Sequence, residues 1–390
     1  MDLIRSVRST VVETLRSHSG AFCALSVGLC FGLLHYRYHS NLQDDVKYRR
    51  VQCLHDPDHC PTDPPETAPF QADFCYESTP SGDILFTGVF WPRYRLKKEV
   101  KGVVFFLHGY GSSVSGPVYE YCGRLAKMGY GVVACEYPCH GRSDGRYYVM
   151  ISSYAMINIY TYIYMWSALI ENVMGVLHKI RDKHFSVPGK RLKTFLFGES
   201  MGGAVALNMS RKYSYDGLIL VSPMCKIAAE TRPPIFMERL LMVLAFLIPT
   251  WPIVPSKDWS QWSCHDSELT AWLSLSPLYY SRLATGLQLL KVTENIEQML
   301  CEFDDRMLIL HGSGDVVTDP FHSKALFEKS KSKDKTLIFY EDQYHKLLSE
   351  PQVKHIVWED IRIWLDNRND DKFVQKANGI AQFVFRRSLD

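Results

Sequence analysis

Thr194-Phe-Leu-Phe-Gly-Glu-Ser-Met-Gly-Gly-Ala-Val-Ala-Leu-Asn-Met209 decides the reading of this chain. The short aromatic run at 194–197 has strand character, and 201–213 has helix character. Between them, Gly198-Glu-Ser-Met-Gly202 matches G-x-S-x-G. A serine on a tight strand-to-helix turn projects its hydroxyl above the sheet. Small residues at Gly198 and Gly202 let that turn pass without collision. The helix N-terminus beneath favours developing negative charge. Ser200 is therefore the expected nucleophile, with Gly198 and Gly202 framing its elbow. The motif alone is modest evidence, because an ordinary Gly-rich βα turn also satisfies it, so the neighbouring sequence has to decide.

Working outward, short apolar runs at 103–107, 132–135, 194–197, 218–221, 307–310 and 336–340 are each bounded by turn residues. Continuous apolar runs are expected of parallel strands covered on both faces. Helical patterns lie between them at 117–128, 169–183, 201–213, 321–329 and 353–365. The alternation predicts an α/β protein: a mostly parallel sheet, helices on both faces, and an inserted helical cap. The cap is the stretch 223–299, which lacks this rhythm and holds four of the eight tryptophans.

A serine hydroxyl is a poor nucleophile without a base. His311-Gly-Ser-Gly-Asp315 follows one strand and Asp342-Gln-Tyr-His345 follows the last. Both fall at strand carboxyl ends, where open α/β sheets place ligands. Asp315 is the expected acid, with Asp319 in reserve, and His345 the expected base. His355 sits on a helix and suits the role less. After the strand at 103–107 comes His108-Gly-Tyr-Gly111. The backbone N–H groups of Tyr110 and Met201 are the expected oxyanion donors. His108 itself reads as a structural imidazole. Neither a metal nor an organic cofactor is required.

His108-Gly-Tyr-Gly, the 198–207 elbow, Ser222-Pro-Met-Cys-Lys-Ile227, Ile309-Leu-His-Gly-Ser-Gly-Asp315 with Val317-Thr-Asp-Pro320, and Tyr344-His-Lys-Leu-Leu348 resemble the plant-type monoacylglycerol lipase and caffeoylshikimate esterase group of serine hydrolases. The resemblance runs from about 74 to 366. It implies the α/β-hydrolase fold, a triad of Ser200, Asp315 and His345, and a mobile cap over an acyl pocket. Two stretches depart from the group: 147–166, rich in Tyr, Ile and Met and read as an insertion, and the apolar N-terminal segment.

The remaining sequence sets bounds. Of 390 residues, 46% are hydrophobic and 22% charged, which excludes a largely disordered chain. The 44 basic and 42 acidic residues give a net charge of +2, so a nucleic-acid partner is not expected. Eleven cysteines in so long a chain form no dense disulfide framework. Cys53 and Cys60 are placed to pair in an oxidising lumen; in a reducing compartment free thiols are expected throughout. Residues 17–36 carry no formal charge between Arg16 and Arg37 and are long enough to span a bilayer. They read first as a membrane anchor, with a cleaved targeting peptide and a helix buried on the protein as alternatives. Localisation follows that choice: membrane-associated, or else cytoplasmic or organellar.

The predicted organisation is an N-terminal segment 1–52, a Pro-rich linker 53–73, core 74–222, cap 223–299, core 300–368 and C-terminal tail 369–390. Within the cap, 235–248 is apolar except for Glu238 and Arg239, as expected of a buried helix or an acyl-chain wall. The expected substrate is a lipid ester, a monoacylglycerol or lysophospholipid. A phenolic ester such as caffeoyl shikimate, and an inactive membrane-tethered binding protein, stand as alternatives. The sequence names no protein partner.

Overall fold

A computed structural model describes residues 64–144, 165–226, 235–247, 254–255, 263–267, 269–270, 280–281, 283–376 and 379–387. All lie in the compact unit Asp56–Asp390. The candidate anchor 17–36, Cys53, Cys60 and residues 147–164 fall outside the described residues.

The six predicted strands form and pair side by side. They are β3 (Val103–Leu107), β4 (Gly131–Cys135), β5 (Thr194–Glu199), β6 (Gly217–Val221), β9 (Met307–Gly312) and β10 (Asp334–Tyr340). An antiparallel pair, β1 (Phe70–Ser78) and β2 (Ile84–Pro92), precedes them, and β11 (Ile380–Arg386) closes the far edge. The nine-stranded order is β1-β2-β4-β3-β5-β6-β9-β10-β11. From β4 to β11 every neighbouring pair is parallel.

Two differences from the predicted organisation follow. The linker 53–73 overlaps the start of β1, and the tail 369–390 contains β11. β11 sits at the edge, with Phe383 and Phe385 exposed, so it lacks the continuous burial that marks the inner strands.

β3, β4, β5, β6 and β9 are buried along their whole length. Their side chains divide with period two. Phe105, Leu107, Leu196 and Leu220 join one apolar cluster, while Phe106, Phe195, Phe197 and Val221 join another. The first face is covered by α2 (Met165–Phe185) and α3 (Met201–Ser210), through residues such as Val173, Leu177 and Val205. The second is covered by α1 (Pro117–Lys127) and α7 (Lys354–Asn369), through Tyr121, Leu125, Trp358 and Ile361. Phe106 and Phe197 stack at 4.9 Å on neighbouring strands, which fixes β3 against β5 beneath the site. Met165 and Trp166, read as the end of an insertion, begin α2, and Trp166 is buried in the core.

Between β6 and β9 the chain leaves the sheet. It forms α4 (Ile235–Leu247), a short pair β7 (Val254–Pro255) and β8 (Tyr280–Ser281), and α5 (Leu283–Gln298). α6 (Pro320–Lys329) then links β9 to β10. Among the described residues no helix is long and apolar enough to cross a membrane.

Candidate active site

Ser200 sits between β5 and α3 with φ 56°. A side chain rarely holds this left-handed conformation, and the packing around it supplies the constraint. A Cβ on Gly198 would stand 2.4 Å from the Gly202 carbonyl oxygen, and one on Gly202 would stand 1.9 Å from that of Leu107. The turn closes only because both positions lack a Cβ. The Ser200 side chain makes no helix-capping bond, so its hydroxyl is not spent on α3. Its backbone is pinned on both sides: its N–H donates to Val221 O at 3.0 Å, and Met224 N–H donates to its carbonyl at 2.9 Å.

Asp315 follows β9 and His345 follows β10, one strand further out. The His345 Nδ1–H donates to Asp315 Oδ2 at 2.7 Å, and both residues are buried. The other carboxylate oxygen, Oδ1, accepts the backbone N–H groups of Val317 at 2.8 Å and Thr318 at 3.1 Å. Burial opposes ionisation of Asp315, but His345 and His311 outweigh it and hold the carboxyl well below the usual carboxylate range. Asp315 is thus an anion able to orient an imidazole and stabilise its charged form. Among the described residues Ser200 Oγ has no hydrogen-bond partner. Asp315 and His345 are joined, while no hydrogen bond links Ser200 to His345, a contact of the kind that in many enzymes tightens only as substrate binds. Asp319 plays a different part. Its side chain accepts Phe321 N–H at 2.8 Å and caps α6.

The loop after β3 lies against the serine. A Cβ on Gly109 would be 3.3 Å from Ser200 Cβ and 3.8 Å from its Oγ. Tyr110 follows in that loop, and Met201 opens α3, where the first N–H groups have no intrahelical acceptor. His108 steadies the loop. Its Nδ1–H donates to Gly109 O at 2.9 Å, while its Nε2 accepts Tyr137 N–H at 3.4 Å. Burial, with His140 beside it, pushes the His108 imidazole down to about 3, which keeps it neutral. Glu136, the residue after β4, braces the same loop. One of its oxygens accepts Val114 N–H at 2.9 Å and the other accepts Arg142 N–H. Burial pushes this carboxyl up to about 7, against the pull of those donors.

Five supporting residues had no assigned role in the sequence. His311 Nε2 lies 3.0 Å from Asp315 Oδ2, and its Nδ1 lies 2.7 Å from Ser323 Oγ. Thr318 Oγ1 lies 2.9 Å from Asp315 Oδ2 and 3.1 Å from the Ser222 carbonyl oxygen. The Ser222 hydroxyl donates to the carbonyl of His345 at 2.9 Å. Glu199, beside the serine, pairs with Lys346, beside the histidine, at 3.2 Å. The elbow and the histidine loop are therefore tied through their neighbours. His311 stood inside a recognised motif, and a second histidine four residues before the acid was the signal that could have found it. Among the described residues no group of His, Cys, Asp and Glu is arranged to hold a metal, and the seven described cysteines are free.

The family described as serine aminopeptidase S33 matches residues 98–352, a span that includes all of this geometry. The chain belongs to that family. It is 34% identical over 312 residues to the caffeoylshikimate esterase of Arabidopsis thaliana, covering 75% of this chain and 85% of the relative. It is 28% identical over 310 residues to the human monoglyceride lipase, covering 78% and 93%. A soluble variant of the Saccharomyces cerevisiae monoglyceride lipase superposes with a TM-score of 0.60 at 22% identity, over 79% of this chain and 97% of that one. A monoacylglycerol lipase from Paleococcus ferrophilus gives 0.56 at 23% identity, over 73% and 99%. The fold is that of the α/β-hydrolases, and the chain is a serine hydrolase acting on esters.

Proposed function

We propose that the protein cleaves carboxylic esters of lipids, a monoacylglycerol or lysophospholipid, with Ser200 as nucleophile, His345 as base and Asp315 as orienting acid. The buried 2.7 Å bond from His345 to Asp315, at strand ends on the same sheet as a strained serine two strands away, carries this reading. Nε2 of His345 takes the Ser200 proton as Oγ attacks the ester carbonyl. The N–H groups of Tyr110 and Met201 hold the resulting oxyanion. The intermediate collapses, the carbon–oxygen bond to the alcohol breaks, and that alcohol leaves with the proton from His345. Water then attacks the acyl-enzyme with His345 again as base, releasing the acid and regenerating the serine.

Two observations bear on the substrate. On α4, Phe236 is 69%, Leu240 50% and Val243 62% exposed, an apolar surface suited to a lipid aggregate. The Arabidopsis esterase at 34% identity favours a phenolic ester as the second reading. Association with a membrane through 17–36 belongs to the lipid reading. Turnover of a long-chain monoacylglycerol, a lysophospholipid and a caffeoyl ester, with Ser200→Ala as the blank, separates them. The lipid reading expects the highest kcat/KM on a lipid and none above background in the variant. Preference for the caffeoyl ester overturns the lipid assignment; full activity of Ser200→Ala overturns the mechanism. Carbonate extraction tests the anchor, with release of intact protein into the supernatant counting against it.

A further inference from the structure

Glu350 has no part in the chemistry above, yet it is completely buried, and its two carboxylate oxygens serve different parts of the chain. Oε1 accepts the backbone N–H of Tyr344 at 3.2 Å. Oε2 accepts the backbone N–H of His265 at 3.2 Å and lies 3.1 Å from that residue's ring Nδ1. Tyr344 immediately precedes His345. His265 belongs to the stretch between β6 and β9. The rings of Tyr344 and His265 stack at 4.0 Å with 13° between their planes.

The other flank of His345 is held by the same stretch. Lys346 N–H donates to the Ser263 carbonyl at 2.8 Å, while its ammonium reaches Glu199. Both neighbours of the histidine therefore rest on residues 263–265, and Glu350 ties one of them there. The bond to Asp315 fixes only Nδ1, so the imidazole can still pivot about that contact. Fixing the main chain on both sides removes the pivot and aims Nε2. A buried carboxylate needs its donors, so loosening residues 263–265 also loosens Tyr344.

We infer that Glu350 is a positioning residue that couples the cap to the base: the seated turn 263–265 holds Tyr344 and Lys346, and through them the His345 ring. Displacing that turn disarms the base, so turnover depends on the cap being seated. This rests on the reading of His345 as base.

The test is steady-state turnover of the full chain on p-nitrophenyl acetate, small and soluble, and on a long-chain monoacylglycerol. For Glu350→Ala, kcat falls on the order of 10²-fold on both, the loss typical of a misplaced group, while KM for the acetate stays within about twofold. A residue that merely fastens the cap would raise KM for the long-chain ester and leave acetate turnover unchanged. That result, in a variant with a wild-type melting transition, overturns the inference. Should Glu350→Ala lack a melting transition, His265→Ala decides. Its side chain is 32% exposed, and its backbone N–H remains free to bond Glu350. A fall in acetate kcat of about threefold or more supports the coupling; unchanged kcat overturns it. Ser200→Ala separates the two layers: if it retains activity, the serine–histidine reading fails, whereas a dead Ser200→Ala beside an unimpaired Glu350→Ala sinks the coupling alone.

Discussion

Replacing Gly202 by alanine tests whether the elbow works through backbone contact. The added Cβ would lie 1.9 Å from the Leu107 carbonyl oxygen, 2.5 Å from its carbon and 2.9 Å from the His108 carbonyl oxygen. All three atoms are main chain, so no rotamer change relieves the clash. Real Cβ contacts essentially never fall below 3.0 Å, so the oxygen and the helix start must separate by about 1.1 Å. Leu107 is two residues from Gly109, whose backbone lies against Ser200. The displacement is therefore delivered between the serine and the loop bearing Tyr110. A shift of about 1 Å costs roughly 10²-fold in rate, and loss of one oxyanion donor about 10²–10³-fold. We expect Gly202→Ala to lower kcat on p-nitrophenyl acetate by about 10²–10³-fold. Overpacking should cost roughly 1–3 kcal/mol of stability in a urea titration. Gly175→Ala, in α2, is the control: its Cβ would meet only Pro80 at 3.5 Å, and activity should be unchanged. A folded Gly202→Ala enzyme with kcat within about threefold of wild type would refute the reasoning.

Asp315→Asn keeps an oxygen for the N–H groups of Val317 and Thr318 but places an amide where two imidazoles require a carboxylate. Turnover of the acetate should fall about 10⁴-fold in a folded protein, and a loss below tenfold would count against the acid's role. Glu136 predicts a pH dependence of stability. Its carboxyl is raised from 4.5 to about 7, so between those values the folded state binds more protons than the unfolded state. Stability from this group therefore falls as pH rises through that window, by about 3 kcal/mol once above it. Glu136→Gln removes the dependence, so the difference in unfolding free energy between variant and wild type should shift by about that amount from pH 4.5 to pH 8. A pH-independent difference would contradict the assignment.

The inner sheet was legible because its physics is local. β3, β5, β6 and β9 are apolar at consecutive positions, since both faces are covered, and a run such as Val103-Val-Phe-Phe-Leu107 says so by itself. β1 and β2 did not show. β1 has an irregular burial pattern with exposed Asp73, Tyr76 and Ser78, while β2 carries Thr87 and Gly88 at its centre. They become strands by pairing along their full length from Phe70–Pro92 to Ser78–Ile84. β11 was hidden for a related reason. Gln382 is exposed, as are the two phenylalanines that follow at 383 and 385, and the strand exists because β10 offers it an edge.

The site divides along the same line. Ser200, Asp315 and His345 could be chosen because chemistry demands those residue types and the fold class fixes which strand ends carry them. Nothing comparable selects Ser222, which reaches the His345 carbonyl across 123 residues, or Glu199, which meets Lys346 across 147, or His265, which meets Glu350 across 85. These are ordinary polar residues whose roles arise only from contact, and a single sequence carries no period that reports contact at such range. The consequence reaches past recognition. A chain could keep serine, acid and histidine in their motifs, lose Glu350, and retain each of those motifs while, on the coupling inferred above, the imidazole points elsewhere. Activity in this fold is therefore argued from the hydrogen bonds that hold Tyr344, His345 and Lys346 in place, which the triad motifs alone do not contain.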